Sequence, residues 1–237
     1  MPGILILAAG EGDRWAKDPK WTAEYPKQLA PVGPHTVIER QLRQIAKFKW
    51  DHPVYLVVRD RSIEGEFLRV AHALQTIRAG IVVPKHERSI FIVREMAEAK
   101  DYWFQDWTIV LLGDVVYSEE VMRGLLNGRP EQLEFWRNGG EIFALKFPWL
   151  EHKQLLNKLR RVAVRAEKSM AEETPFPGQG RLWTLYRAWN GVALGEHKLF
   201  DGPADKVITD YTQDLDLPRD YEKLLRDVVK TGELEIP

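Results

Sequence analysis

Short apolar runs alternate along this chain with segments whose apolar residues recur at helical spacing, the first pattern typical of buried strands and the second of amphipathic helices. Gly3 to Ala8 (GILILA) reads as a buried strand, Val37 to Phe48 as a helix and Val54 to Val58 as a second strand. Ile63, Phe67, Val70, Ala71, Leu74 and Ile77 then fall on one helical face. Ile81 to Val83 forms a short third strand, Ile90 to Lys100 a helix, and Thr108 to Leu112 (TIVLL) a fourth strand that ends in Gly113-Asp114. This β-α alternation predicts an α/β fold of three layers, α/β/α, with a mainly parallel twisted sheet covered on both faces.

Beyond the fourth strand the pattern predicts a helix over Glu119 to Leu126, a strand over Glu141 to Lys146, a helix near Trp149 to Leu156, and a strand over 159–166 (LRRVAVRA). Residues 167–181 are polar and carry two prolines and two glycines, which reads as a flexible loop or flap rather than a linker between domains. Two further strands are expected at Leu182 to Arg187 and Gly191 to Gly195, and a last helix from about Arg219 to Lys230. No internal repeat is visible, and 237 residues suffice for one α/β domain with a full core.

Composition narrows the classes. An apolar fraction of 44% and a charged fraction of 29% are ordinary for globular chains and give no support to disorder or a membrane protein. A formal net charge of -1 provides no large single-sign field, which argues against a general nucleic-acid or anionic-membrane binder unless the basic residues cluster in space. The chain has no cysteine, which excludes disulfides, thiolate metal sites and a cysteine nucleophile, and fits a reducing, cytoplasmic setting. The apolar opening at residues 1–9 is far shorter than a membrane span and runs straight into a glycine-rich turn.

That turn, Leu7-Ala8-Ala9-Gly10-Glu11-Gly12-Asp13-Arg14, stands at the carboxyl end of the first strand, where α/β sheets bind ligands. Small side chains let a base or phosphate approach the main chain, consecutive N–H groups form an anion-binding concavity, and Arg14 adds a fixed positive charge. A dinucleotide fingerprint would need a glycine where Trp15 stands, and a P-loop would need Gly-Lys-Ser/Thr, which is absent. A tight strand-to-loop turn with no ligand is the plain alternative.

Tyr25-Pro26-Lys27-Gln28-Leu29 and Pro31-Val32-Gly33-Pro34 follow, then the helix beginning VIERQL. Together, LAAGEGDR, YPKQLAPVG and VIERQL resemble the N-terminal signature of the nucleotidyltransferase superfamily, which includes sugar-phosphate nucleotidylyltransferases, cytidylyltransferases and molybdenum-cofactor guanylyltransferases. The resemblance implies that Leu7 to Gly12 hold the base and triphosphate, and that Arg14 and Lys27 neutralise phosphates. It also implies a nucleotide-binding half over residues 1–130 and an acceptor-binding half over 131–237. A lone lysine is otherwise usually a solvated charge.

A magnesium ion at a phosphoryl site takes one or two carboxylates plus phosphate oxygens and water. Asp114 follows the apolar run IVLLG, so a buried strand delivers it to the same sheet edge as the glycine-rich turn, and Gly113-Asp114 matches the superfamily's Gly-Asp metal motif. A helix-capping aspartate is the alternative. Asp214-Leu215-Asp216-Leu217-Pro218-Arg219-Asp220 resembles the superfamily's C-terminal D-x-D-T-P-E-D element, which implies a second ligand, Asp216 ahead of Asp214. Leu217 and Arg219 depart from that element.

His86-Glu87-Arg88-Ser89 resembles a base-contacting segment of cytidylyltransferases, so Arg88 and Ser89 join the candidate nucleotide site. Ser89 serves equally well as a helix cap. No histidine shows metal-ligand spacing. Trp183, Tyr186 and Trp189 suit either stacking on an acceptor or packing.

The expectation is a magnesium-dependent nucleotidyltransferase that moves NMP from an NTP to a small phosphorylated or hydroxylated acceptor, such as a sugar phosphate or phospho-alcohol, and releases pyrophosphate. Arg14 and Lys27 carry the charge neutralisation. Its partners are small molecules, with no nucleic acid and no membrane, and a homo-oligomer is left open. A glycosyltransferase of related architecture and a non-catalytic nucleotide-binding module are the competing readings.

Overall fold

The computed structural model describes residues 1–8, 26–58, 61–75, 78–83, 92–172, 181–194, 202–215 and 218–230. Strand β1 (Gly3–Leu7) has all five residues buried and forms the centre of the molecule. A hairpin of β2 (Pro31–Val32) and β3 (His35–Thr36) turns at Gly33, whose φ of 65° is the left-handed region that favours glycine. It leads into α1 (Val37–Lys47), capped by the Thr36 side chain accepting from the Glu39 N–H.

Strand β4 (Pro53–Val57), helix α2 (Arg61–Leu74), strand β5 (Arg78–Val82), helix α3 (Ile92–Glu98), strand β6 (Trp107–Leu112), strand β7 (Val115–Val116) and helix α4 (Glu119–Leu126) complete the first half. The second half contains β8 (Glu134–Arg137), β9 (Ile142–Pro148), α5 (His152–Ala171), α6 (Leu182–Trp189), β10 (Asp205–Val207), β11 (Gln213–Asp214) and α7 (Pro218–Lys230).

The main sheet has the order β10-β8-β9-β6-β1-β4-β5. The pairs β1–β4, β1–β6, β4–β5 and β8–β10 are parallel, and β9 runs antiparallel to both β6 and β8. The mainly parallel α/β fold read from the sequence is therefore the fold observed.

Four expectations in the second half are corrected. Residues 159–166 are not a strand but the middle of α5: Leu155, Leu159, Val162, Ala163 and Ala166 are the buried positions, and their spacing is helical. The loop expected over 167–181 begins later, because α5 continues to Ala171; residues 173–180 lie outside the described residues. Leu182 to Arg187 is helix α6 rather than a strand. All six are buried, and a run buried on every side carries no periodicity from which to choose. Described residues 191–194 form a turn, not a strand: Gly191 has φ 70° and the Val192 N–H bonds back to the Arg187 carbonyl at 3.0 Å.

Candidate active site

The chain leaves β1 toward β4 and β5 on one side and returns on the other as β6, so the strand order reverses between β1 and β6. In such sheets the crevice outside the carboxyl ends of those two strands is the ligand site. Here it lies between Leu7-Ala8 and Leu112-Gly113-Asp114. The Gly113 N–H donates to the Leu7 carbonyl at 2.8 Å. A Cβ on Gly113 would meet the Ala8 Cβ and the Leu7 carbonyl oxygen, each at 3.0 Å, so any side chain there requires the two strand ends to give by a few tenths of an ångström.

Asp114 is fixed from several directions. Gln41, buried on α1, donates both hydrogens of its Nε2, to the Leu112 carbonyl at 2.9 Å and the Val115 carbonyl at 2.8 Å, and so brackets the turn. The Tyr117 hydroxyl accepts from the Leu112 N–H at 3.0 Å and donates to the Phe143 carbonyl at 2.6 Å. Burial, above all, pushes the Tyr117 phenol well above its ordinary pKa, with the Asp114 and Asp214 carboxylates adding to the effect against the Leu112 bond. Its hydroxyl therefore stays protonated as a donor. The Leu215 N–H donates to the Asp114 carbonyl at 3.0 Å.

Lys27 enters from a single 3-10 turn, Lys27–Leu29, and its ammonium forms an ion pair with the Asp114 carboxylate. The two side chains are 11% and 17% exposed, sheltered yet reachable from the crevice. Beside it, Gln28 is buried, with Nε2 at 3.4 Å from the Ala8 carbonyl and Oε1 lacking a hydrogen-bond partner among the described residues. The loop rests on a small apolar cluster in which Ala30, Val32 and Val37 meet Val116, Leu215, Leu224 and Val228. Tyr221 of α7 donates its hydroxyl to the Pro31 carbonyl. The C-terminal helix thus braces the lysine-bearing loop.

Pairing of β11 with β7 sets Asp214 opposite Val115, and Asp214 lines the same crevice as Leu7, Lys27 and Asp114. The facing wall brings Glu95 of α3, Glu141 at the head of β9, and Arg181 and Trp183 at the start of α6. The structure thus assembles Leu7, Lys27, Asp114 and Asp214, with Ala8 and Gly113 packed behind them. Ala9, Gly10, Glu11, Gly12, Arg14, Arg88, Ser89 and Asp216 lie outside the described residues.

Sequence reasoning missed Gln28, Glu95, Glu141 and Arg181. Glu95 left one usable signal, a carboxylate between Val93 and Met96 on the buried side of a short helix. Trp183 was noted, but as part of a strand; it stands in the first turn of α6.

Residues 4–175 match the MobA-like NTP transferase domain family, and the chain belongs to that family. Solved structures of similar fold include a nucleotidyl transferase from Methanothermobacter thermautotroptrophicus, 15% identical, covering 98% of this chain and 99% of that one with a TM-score of 0.61. A UDP-glucose pyrophosphorylase complexed with UDP-glucose is 11% identical, covering 98% and 99%, at 0.63. The inositol-1-phosphate CTP transferase from T. maritima is 13% identical, covering 96% of each chain, at 0.59. No curated protein sequence matches the chain.

Proposed function

We propose that this chain transfers a nucleoside monophosphate from an NTP to a small acceptor bearing a phosphate or hydroxyl, with release of pyrophosphate. The observation that carries this reading is the pairing of Lys27 with Asp114 at the strand-order reversal, beside Leu7 and Asp214. The acceptor oxygen forms a bond to the α-phosphorus while the bond to the β-phosphate oxygen breaks. Such a transfer asks the protein for positioning and charge neutralisation rather than for a side-chain nucleophile.

In this reading Lys27 meets the α-phosphate or the attacking group, supported by its ion pair with Asp114, and Arg14 takes the leaving phosphates on the strength of the superfamily resemblance. The donor set suits magnesium: Asp114 and Asp214 offer hard carboxylate oxygens on one crevice. When bound there, magnesium would neutralise triphosphate charge. Asp216, two residues on, is the further candidate ligand.

The half comprising 131–237 supplies Glu141, Arg181 and Trp183 to the crevice, which supports its assignment as the acceptor-binding half. Two of the fold neighbours are a UDP-glucose pyrophosphorylase and an inositol-1-phosphate CTP transferase, so sugar phosphates and phospho-alcohols are the acceptors to try first.

Pyrophosphate release should be measured with each of the four NTPs, magnesium and a panel of such acceptors. Asp114→Asn is expected to lower turnover roughly a thousandfold or more, as loss of a group stabilising transition-state charge does, while circular dichroism stays native. Wild-type turnover in that variant removes Asp114 from the chemistry. Cleavage of UDP-sugars without NTP turnover would replace the proposal with a glycosyltransferase.

A further inference from the structure

We propose that α5, with the Trp149-Leu150 step before it, is a docking surface for an anionic lipid bilayer. The chain's formal charge is -1, yet its basic residues are not spread evenly. Helix α5 carries Lys153, Lys158, Arg160, Arg161, Arg165 and Lys168 against a single glutamate, Glu167. Glu151 stands just before the helix and Glu172 just after it, and Glu98 and Asp101 line a hollow beside Arg160 and Val164. Lys153, Arg160, Arg161, Arg165 and Lys168 are all exposed. The overall charge argued against a membrane-surface role only on condition that the basic residues do not gather, and in space they gather here.

Apolar side chains are interleaved with these cations. Leu150, 82% exposed, protrudes most of all the large apolar residues among those described, and Val164 and Trp149 are 64% and 49% exposed. Beside Leu150 lies a shallow depression of about 510 Å³ lined by Leu150, Lys153, Gln154, Asn157, Lys158 and Arg161: three cations, two amides and no carboxylate. Such a hollow fits a headgroup phosphate, and the neighbouring Trp and Leu fit the acyl boundary. A nucleic-acid backbone would use the cations but not the protruding leucine, so the lipid surface is the occupant that accounts for both.

The placement leaves catalysis undisturbed. Pro148 pairs with Trp107, the first residue of β6, and the Trp149 N–H bonds to the Asp106 carbonyl at 2.9 Å. Leu150 therefore stands at the pole of the sheet opposite Asp114, and α5 runs back along the flank of the molecule. A helix lying in the interface plane needs such a flank. No helix among the described residues is long and apolar enough to cross a membrane, so attachment through this face is peripheral.

The test is cosedimentation of the purified chain with vesicles of mixed phosphatidylglycerol and phosphatidylcholine, compared with phosphatidylcholine alone. Binding to the anionic vesicles only, reversed by high salt, is expected. Reversing Lys153, Arg160 and Arg161 to Glu together should weaken it at least about tenfold, since each basic residue near an anionic surface contributes measurably. Leu150→Ser should weaken it several-fold while leaving solution turnover of NTP unchanged.

Circular dichroism checks the fold of each variant, and Lys153→Gln with Arg161→Gln serves should the triple reversal not fold. Equal binding to neutral vesicles, no binding at low salt, or binding unmoved by the charge reversal each overturns the proposal. So does retention of duplex DNA or an acidic peptide by this face in place of vesicles. The outcome is independent of the catalytic reading.

Discussion

Gln41 is the residue that does most to decide where Asp114 points without touching the crevice. Its two Nε2 hydrogens go to carbonyls on either side of the Gly113-Asp114 step, 71 and 74 residues away in sequence. Gln41→Leu keeps the volume and leaves both carbonyls buried and unsatisfied, a loss of about 2–4 kcal/mol. A displaced carboxylate should also lower kcat roughly tenfold or more while the KM for NTP changes little, because misplacement by about an ångström is felt in the chemical step. Urea unfolding and steady-state kinetics on one preparation separate the two effects. A fall in stability with an unchanged kcat would make Gln41 a packing residue only. Gly113→Ala tests the other side of the turn: the added methyl would stand 3.0 Å from Ala8 and Leu7 atoms, a contact that must push β1 and β6 apart. Its expected cost in urea unfolding is about 1–3 kcal/mol, and a neutral result would show that the strand ends yield freely.

Among the elements, those of the first half were legible because each apolar run ends at a turn signal. Those of the second half were less so. Strand β8 escaped notice because its inward positions are Phe135 and Arg137, and the arginine's charge is met inside by Asp205, 68 residues away. Helix α6 is buried on nearly every side, so its pattern has no period. The site divides the same way: Lys27 and Asp114 announce themselves in local motifs, whereas Glu95, Glu141 and Arg181 reach the crevice only once β9 has paired with β6 and α6 has packed. Helix α5 makes its own prediction at its first residue. His152 stands among Trp103, Phe147 and Trp149, with ring centroids 5.0, 5.4 and 4.5 Å away, and burial lowers its pKa from 6.5 to about 4. Between those two values the unfolded chain binds a proton that the native chain does not, so stability falls as pH drops through that window and is unaffected by this group above it. The loss amounts to about 3 kcal/mol at most. Urea unfolding of wild type and His152→Phe at neutral pH and near pH 4 should show the wild type losing more than the variant, by a part of that ceiling because solvent screens the half-buried ring. Equal losses would mean the imidazole is protonated in place.

For the molecule as a whole, the main sheet does not stop where the nucleotide-binding half is assigned to end. Strand β9 hydrogen-bonds to β6, β8 to β9, and β10 to β8, so the second half is built onto the sheet that carries Asp114. The outermost join is electrostatic. Oδ2 of Asp205 accepts from Nε of Arg137 at 2.7 Å, from the Tyr186 hydroxyl at 2.9 Å and from the Gly202 N–H at 2.9 Å, and its ion pair with Arg137 is only 5% exposed on each side. One carboxylate thereby ties β8, β10 and α6, and α6 carries Arg181 and Trp183 to the crevice. Burial, first, and then Asp205 raise the Tyr186 phenol to about 12, so it remains a donor at any working pH. Asp205→Ala strands a buried guanidinium and should cost about 3–5 kcal/mol. If the continuous sheet makes the two halves one cooperative unit, circular dichroism and tryptophan fluorescence will report a single coincident transition in wild type, and the substitution will move both by the same amount. If instead the second half unfolds alone, the fluorescence of Trp183 and Trp189 will change first and the nucleotide-dependent rise in melting temperature will survive in the variant. The coincident result is the one expected, because β10 and β8 continue through β9 into β6 as one hydrogen-bonded sheet.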